Sequence, residues 1–574
     1  MLAFQVVGGR PYFGDRSAVR LRTPRLPDLI ALALLAFVVA ASSGCTRAPA
    51  AEEVSENLRT KVASVSNGTA VVRNEGLLER KTVSSFYEKR KYRRAWDLGS
   101  GDADRVVEAI RGVERDGLDP KDYHLEAIEA LIRERKEGAN ADLDANLDLL
   151  LTDAVAAMVD DVRYGRVRPS SLNPKWNVNP REGAPPLNED LEGIVGSRDL
   201  KQALESRRHD HFIYHGLVGA LEQLRTIAAN GGWPKVTPGK TIKPGAVDSR
   251  IPAVRARLAA TGELPEGSDL TSTRYDPALR KAVELFQSRH RLDATGVIGK
   301  ETMAAMNVSA AQRVEQVRVN LERARWVLGG LTSDFMLVNL PAFKAYLIRG
   351  GSNVWEARTM IGQEARQTPS FRARMQTVVF NPDWTVPPTI LEEDIIKGIQ
   401  EGRDMIREKG VTVLDSDGNE VDPSSIDWSS ADPDNFPYTL RQPPGDDNAL
   451  GRLKFEFPNP YLIYLHDTPS KSLFESDKRT FSSGCIRIEN PMELAEQLLG
   501  PQGWDRSRIQ EMIDAGETKR VAIENQIPIL IVYWTVSVGK SGEVRYMQDI
   551  YDLDRPLLTA LDGSRQSSTA LGSR

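Results

Sequence analysis

Cysteine is nearly absent: the 574 residues hold two, Cys45 and Cys485. A disulfide framework is excluded, and with it the small stapled folds of secreted proteins. Histidine is scarce as well. Five of the six (His124, His209, His211, His215 and His290) fall in helical stretches, so a zinc site fails for want of ligands at the right spacing. The tightest group, His209, His211 and His215, reads as a solvated helix face. No basic excess is present either, since 75 Lys and Arg stand against 80 Asp and Glu for a net charge of −5. Nothing in the charge balance would hold nucleic-acid phosphates, so a nucleic-acid partner is not expected.

Long apolar runs are also missing. The run Leu29–Ala41 ("LIALALLAFVVAA") falls short of the roughly 20 residues that span a bilayer. It follows a segment with Arg10, Arg16, Arg20, Arg22 and Arg25 but only Asp15 and Asp28 as acids. That order is the charge and length pattern of a secretory leader, here residues 1–45. Cys45, behind "ASSG", stands where the lipidated residue of a lipoprotein signal would. Cleavage after Ala41 or Ser43 and an uncleaved anchor are the alternatives. Each of the three implies the cell envelope, with the periplasm as the expected location and membrane attachment only through this leader or a lipid.

A chain of this length divides into roughly three or four domains. Residues 46–76 are poor in apolar periodicity and read as a flexible tether. From 77 to 245 apolar positions recur at helical spacing, as in "LDLLLTDAVAAMVDDVRYGRV", and "GGWPKVTPGKTIKPG" closes a helical domain. A compact unit at 246–308 follows, in which Asp276 caps a helix that begins at Pro277 and buries Leu279, Ala282, Val283 and Phe286. The last domain spans 309–560, and from about Asp334 the apolar period becomes two, so this domain is β-rich. A polar, Asp- and Pro-rich insertion at 391–450 interrupts it, long enough to cap a site. Residues 561–574 read as a disordered tail. The fold class is multidomain α+β.

What remains of cysteine chemistry is concentrated in "HDTPSKSLFESDKRTFSSGCIRIENP", His466 to Pro491. Cys485 has no plausible disulfide partner, and a small buried core residue is the bland reading of a lone thiol. Yet His466 ends the apparent strand "YLIYLH", and Cys485 follows a Ser-Ser-Gly turn. Imidazole and thiol could meet there, and a histidine within hydrogen-bond reach makes a cysteine a far stronger nucleophile. Ser482, Ser483 and Gly484 are small enough for a sharp turn that aims the N–H groups of Gly484 and Cys485 at a developing oxyanion. Such acyl chemistry calls for neither metal nor cofactor.

This stretch resembles the signature of YkuD-type L,D-transpeptidases: a histidine, a Ser/Thr-x-Gly-Cys turn and a following arginine. "RQTP" (366–369), "NPDWTVPP" (381–388) and "RQPPGDDNALGRLKFEFPNPY" (441–461) are similar to its large YcbB-like branch. "GLDPKDYH" and "LTDAVAAMVDDVRYGRVRP" resemble the scaffold domain of that branch, and "AVELFQSRHRLDATGVIGKETMAAMN" resembles a peptidoglycan-binding module. Ser483 stands where many members have a second histidine.

The resemblance implies Cys485 as nucleophile, His466 as base and the Asp467 backbone carbonyl as the group that orients the imidazole. Arg487 either holds a substrate carboxylate or braces the loop. Trp384 and Tyr464 either line the donor cleft or belong to the β-core. Arg441, Arg452, Lys471 and Arg479 suit a polyanionic wall polymer or a solvated surface. The implied substrates are peptidoglycan tetrapeptide stems, as donor and acceptor, with acylation by a carbapenem as a further expectation. D-Alanine would leave and two third residues would be joined, the 391–450 insertion excluding water as a lid. An L,D-carboxypeptidase and a non-catalytic wall-binding scaffold are the alternatives.

Overall fold

The computed structural model describes residues 49–66, 71–172, 176, 178–197, 199–563 and 565. The leader, Cys45 and most of residues 561–574 lie outside the described residues. Among the described residues no helix is long and apolar enough to cross a membrane.

The expected α+β order is borne out, with helices first and a β-rich domain last. The tether is not. Residues 51–66 form helix α1 (Ala51–Ser66), which packs on α2 (Ala141–Tyr164). Val54, Leu58 and Val62 make a stripe at i, i+4 and i+8 that is at most 2% exposed. Burial of each such side chain stabilises by roughly 1.5–3 kcal/mol, enough to dock an otherwise polar helix. Helix α2 is buried almost all round, acids included. Asp148 accepts from Ala95 N, Trp96 N and Tyr87 Oη, and Asp153 from Leu78 N and Glu79 N. These carboxylates satisfy backbone donors that would otherwise be stranded in the core.

The 77–245 stretch contributes to more than one hydrophobic core. Its last helix, α3 (Phe212–Ala229), lies in a separate core with α5 (Ala310–Leu328), the strand segment around Trp534 and α6 (Asp554–Asp562). An apolar stripe at helical spacing shows that a face is buried, not which neighbour covers it. Between them sits the small module, whose core runs from Val236 to Met306. Its helix α4 (Pro277–Arg289) is capped as expected, Asp276 Oδ1 accepting from Leu279 N at 2.8 Å.

The described residues of the 561–574 segment are held in place. Helix α6 runs to Asp562, and beyond it Arg565 is buried against Asp161 and Glu79 of the first helical domain, at 2.9 and 3.1 Å. Arg565 thereby ties the segment after α6 to the first helical region.

The β-rich domain is built on an eleven-stranded sheet. Its strands in chain order are β1 (Phe335–Asn339), β2 (Lys344–Arg349), β3 (Ser352–Gly362), β4 (Phe371–Arg374), β5 (Thr377–Phe380) and β6 (Leu453–Glu456). Then come β7 (Leu465–His466), β8 (Thr480–Ser482), β9 (Ile486–Ile488), β10 (Lys519–Ala522) and β11 (Pro528–Val532). The spatial order is β10-β5-β6-β7-β9-β3-β2-β1-β11-β4, with β8 joined to β3. Short β7 and β9, paired in parallel, therefore sit mid-sheet. The insertion forms a compact cap with its own core (Trp384, Val386, Ile395, Met405, Val413, Leu440) and a three-stranded sheet. It starts before residue 391, because Trp384–Thr385 already pairs with Thr439–Gln442.

Candidate active site

The register of β7 on β9 pairs His466 with Arg487 and Leu465 with Ile486. One residue earlier, Ile486 N donates to Tyr464 O at 3.1 Å, which sets Cys485 alongside Tyr464. Side chains alternate across a sheet, so Leu465, Ile486 and Ile488 enter the core at 0% exposure while Tyr464, His466, Cys485 and Arg487 share the other face. The antiparallel β6 adds Lys454, opposite His466, to that face.

The turn that carries Cys485 is closed by Ser482, whose Oγ accepts from Gly484 N at 3.1 Å and donates to Cys485 O at 2.5 Å. Gly484 has φ +118°, a conformation a Cβ would strain. One expectation is corrected here. The Gly484 N–H is consumed by Ser482, so it is not available to an oxyanion. Among the described residues the Cys485 N–H has no acceptor, so this amide is free to donate.

His466 is buried, and its Nδ1 lies 2.6 Å from Asp467 O. A carbonyl only accepts, so Nδ1 carries the proton and Nε2 the lone pair. Burial, reinforced by the charges of Arg487 and Lys454, pushes the imidazole down to about 3, so it is neutral near pH 7. The Asp467 carboxylate is itself fixed, Oδ2 accepting from Arg452 N at 3.0 Å.

The half-buried Cys485 thiol is pushed up by burial, while Tyr464, Lys454 and Arg487 pull it down. Thiol and imidazole are thus both neutral at rest. Sγ makes no hydrogen bond to His466 here. It faces Leu462 O at 3.8 Å, whereas contact between thiol and imidazole was the sequence expectation. Leu462 is left-handed (φ +56°) and 74% exposed, held so by Asn459 Oδ1, which accepts from Tyr461 N and Ile463 N. Such local strain is stored most often at functional sites.

The remaining candidates separate. Arg487 lies beside the pair, and among the described residues its buried Nε has no partner. Tyr464, just before β7, packs against the cap core, with its ring 5.6 Å from His466 and Lys454 Nζ 4.2 Å from its centroid. Trp384 is a core residue of the cap, 7% exposed. Arg479 is 6% exposed and bonded to the carbonyls of Thr359 and Ser476, a structural role rather than a polymer contact. Lys471 and Arg441 are exposed, and Arg452 pairs with Asp446. Ser483 is exposed and accepts from Arg366.

The sequence reading assigned no role to Arg366, Thr368, Lys454 or the Leu462 carbonyl. For the first two, the signal was the "RQTP" segment itself. Among the described residues no group of three or more His, Cys, Asp or Glu is disposed to hold a metal ion.

Three family models match the chain. Residues 333–523 match one described as "L,D-transpeptidase catalytic domain", 81–221 one described as "Scaffold domain", and 248–306 one described as "Putative peptidoglycan binding domain". The chain is 35% identical over 246 residues to a Haemophilus influenzae protein named "Putative L,D-transpeptidase", covering 42% of this chain and 49% of that one. It thus spans about half the length of the curated relative it matches. A Clostridium acetobutylicum structure of a fused Zn-dependent amidase/peptidase/peptidoglycan-binding domain-containing protein aligns at 12% identity over 51% of this chain and 100% of that chain. Its TM-score of 0.13 carries no argument.

Proposed function

From the premise that this chain joins an L,D-transpeptidase catalytic domain to a scaffold domain and a peptidoglycan-binding domain, the architecture of the YcbB-like branch, we propose that it cross-links peptidoglycan stems through Cys485. The observation that carries the reading is the 2.6 Å contact of His466 Nδ1 with Asp467 O, which assigns the proton to Nδ1 and leaves Nε2 unprotonated on the sheet face that bears the thiol.

With a tetrapeptide stem bound, the thiol turns from Leu462 O toward His466. Sγ attacks the carbonyl of the stem's third residue as Nε2 takes the thiol proton. The Cys485 N–H receives the oxyanion. The C–N bond then breaks, His466 returns the proton to the departing amine, and D-alanine leaves a thioester behind. In the second half the side-chain amine of another stem attacks the thioester, Nε2 removes its proton, and the thiol is regenerated as the cross-link forms. One amide replaces another, so no energy source is required. Arg487 pairs with a stem carboxylate. The cap over Tyr464 keeps water from the thioester. The leader reading makes the periplasm the site of action.

Muropeptide analysis of sacculi incubated with wild type and Cys485→Ala tests this. Dimers joined through two third residues, present only with wild type, are the expected result. Trimmed monomers without dimers would mark a carboxypeptidase instead.

A further inference from the structure

Arg366 joins the cap to the nucleophile turn. Its Nη1 donates to Ser483 Oγ at 2.8 Å, two residues before Cys485. The rest of the guanidinium is turned toward the cap, Nε donating to Glu393 Oε2 at 2.6 Å and Nη2 to Asp394 Oδ1 at 2.6 Å. Two residues along, Thr368 Oγ1 donates to Gly484 O at 2.7 Å and accepts from Gly362 N at 2.9 Å. Residues 362–368 therefore grip both positions that precede the cysteine. The Thr368 grip is buried and internal to the catalytic domain. The Arg366 grip depends on carboxylates that belong to the cap.

Those carboxylates lie in a π-helical turn, Leu391–Ile396. Such turns are uncommon and cluster at functional positions. Here the turn sets two successive acids against one guanidinium. A planar fork held at both edges by carboxylates has its orientation fixed, which a flexible ammonium would not.

We propose that Arg366 is a positioning residue that makes the attack geometry of Cys485 depend on the seating of the cap. The proposal rests on Cys485 being the nucleophile. With the cap seated, Glu393 and Asp394 hold the guanidinium on Ser483, and the turn presents both Sγ and the Cys485 N–H to the cleft. With the cap lifted, the fork loses its carboxylates and Ser483 its fixed donor, and the turn is held by Thr368 alone. Thioester formation is thereby confined to the closed state, in which water is excluded.

The test is carbapenem acylation of the full chain, followed by mass spectrometry, in wild type, Arg366→Gln, Arg366→Lys, Glu393→Gln/Asp394→Asn, Ser483→Ala and the cap double variant combined with Ser483→Ala. Arg366→Gln and the cap double variant should each slow the acylation rate constant at saturating carbapenem on the order of 10-fold. The half-saturating concentration should stay unchanged. Arg366→Lys should recover only part of the rate, and adding the cap substitutions to Ser483→Ala should cost nothing further. Should Arg366→Gln fail to fold by urea titration, the cap double variant, whose changes lie outside the catalytic core, carries the test alone. A raised half-saturating concentration with an unchanged rate constant would show that Arg366 only anchors the cap, and additive losses would likewise overturn the proposal. Wild type that is not acylated at Cys485 would instead overturn the nucleophile reading on which it rests.

Discussion

His466 Nδ1 donates to the carbonyl of the next residue, Asp467, across 2.6 Å. The base is thus oriented by backbone rather than by a third side chain, and no carboxylate stabilises an imidazolium. Burial, with the charges of Arg487 and Lys454, outweighs that bond and keeps the ring neutral down to about pH 3. The acylation rate should accordingly show no inflection near 6.5, where an ordinary histidine titrates, and stay level from about pH 5 to 7. Stopped-flow acylation across that range checks it. The same group links pH to stability. Its folded value lies below its unfolded one, so its contribution is complete above about 6.5 and declines as pH falls toward 3. Urea midpoints from pH 7 to 4 should fall more steeply for wild type than for His466→Gln.

Gly451 sits where a Cβ would meet the Asp467 carboxyl at 2.5 Å, and its φ is +62°. Gly451→Ala should displace Asp467 and, through its carbonyl, the imidazole. Steady-state kinetics should show kcat reduced by about 10- to 100-fold with KM little changed.

Arg487 has no protein partner for its Nε among the described residues and stands next to the thiol. Arg487→Gln should lose a charge-assisted bond to the donor stem, about 1.5–3 kcal/mol, or roughly 10- to 100-fold in kcat/KM. If it braced the loop instead, the thermal midpoint would fall while KM held.

Arg565→Ala leaves Asp161 and Glu79 buried without their shared cation. A loss of about 3 kcal/mol in unfolding free energy is expected, measured by urea titration. Leu58→Ala, in the helix that composition disguised as a tether, should cost about 2–5 kcal/mol. No change in either would restore the flexible-ends reading.

The parts legible in sequence were those written locally. The period-two run ending at His466, the small turn before Cys485, and the Asp276-Pro277 cap each specify geometry within a few residues. Partner choice was not legible. Val54, Leu58 and Val62 make a stripe too narrow to stand out from a polar segment, and the stripe of Phe212–Ala229 names no neighbour. The sequence left Trp384 between cleft and core, because an aromatic near a strand end serves either role. Only the cap core, assembled from residues scattered between 384 and 450, decides it. Arg366, Thr368 and Arg565 act through single side chains over distances in sequence of 117, 116 and 404 residues, which leave no periodic trace.

The most direct measurement is the intact mass of the protein, with peptide mapping, after brief mixing with disaccharide-tetrapeptide. The account predicts an adduct of the stem less D-alanine, on Cys485 alone, formed with stoichiometric release of D-alanine and absent from Cys485→Ala. D-Alanine released at an equal rate by Cys485→Ala, or an adduct on any other residue, would contradict it.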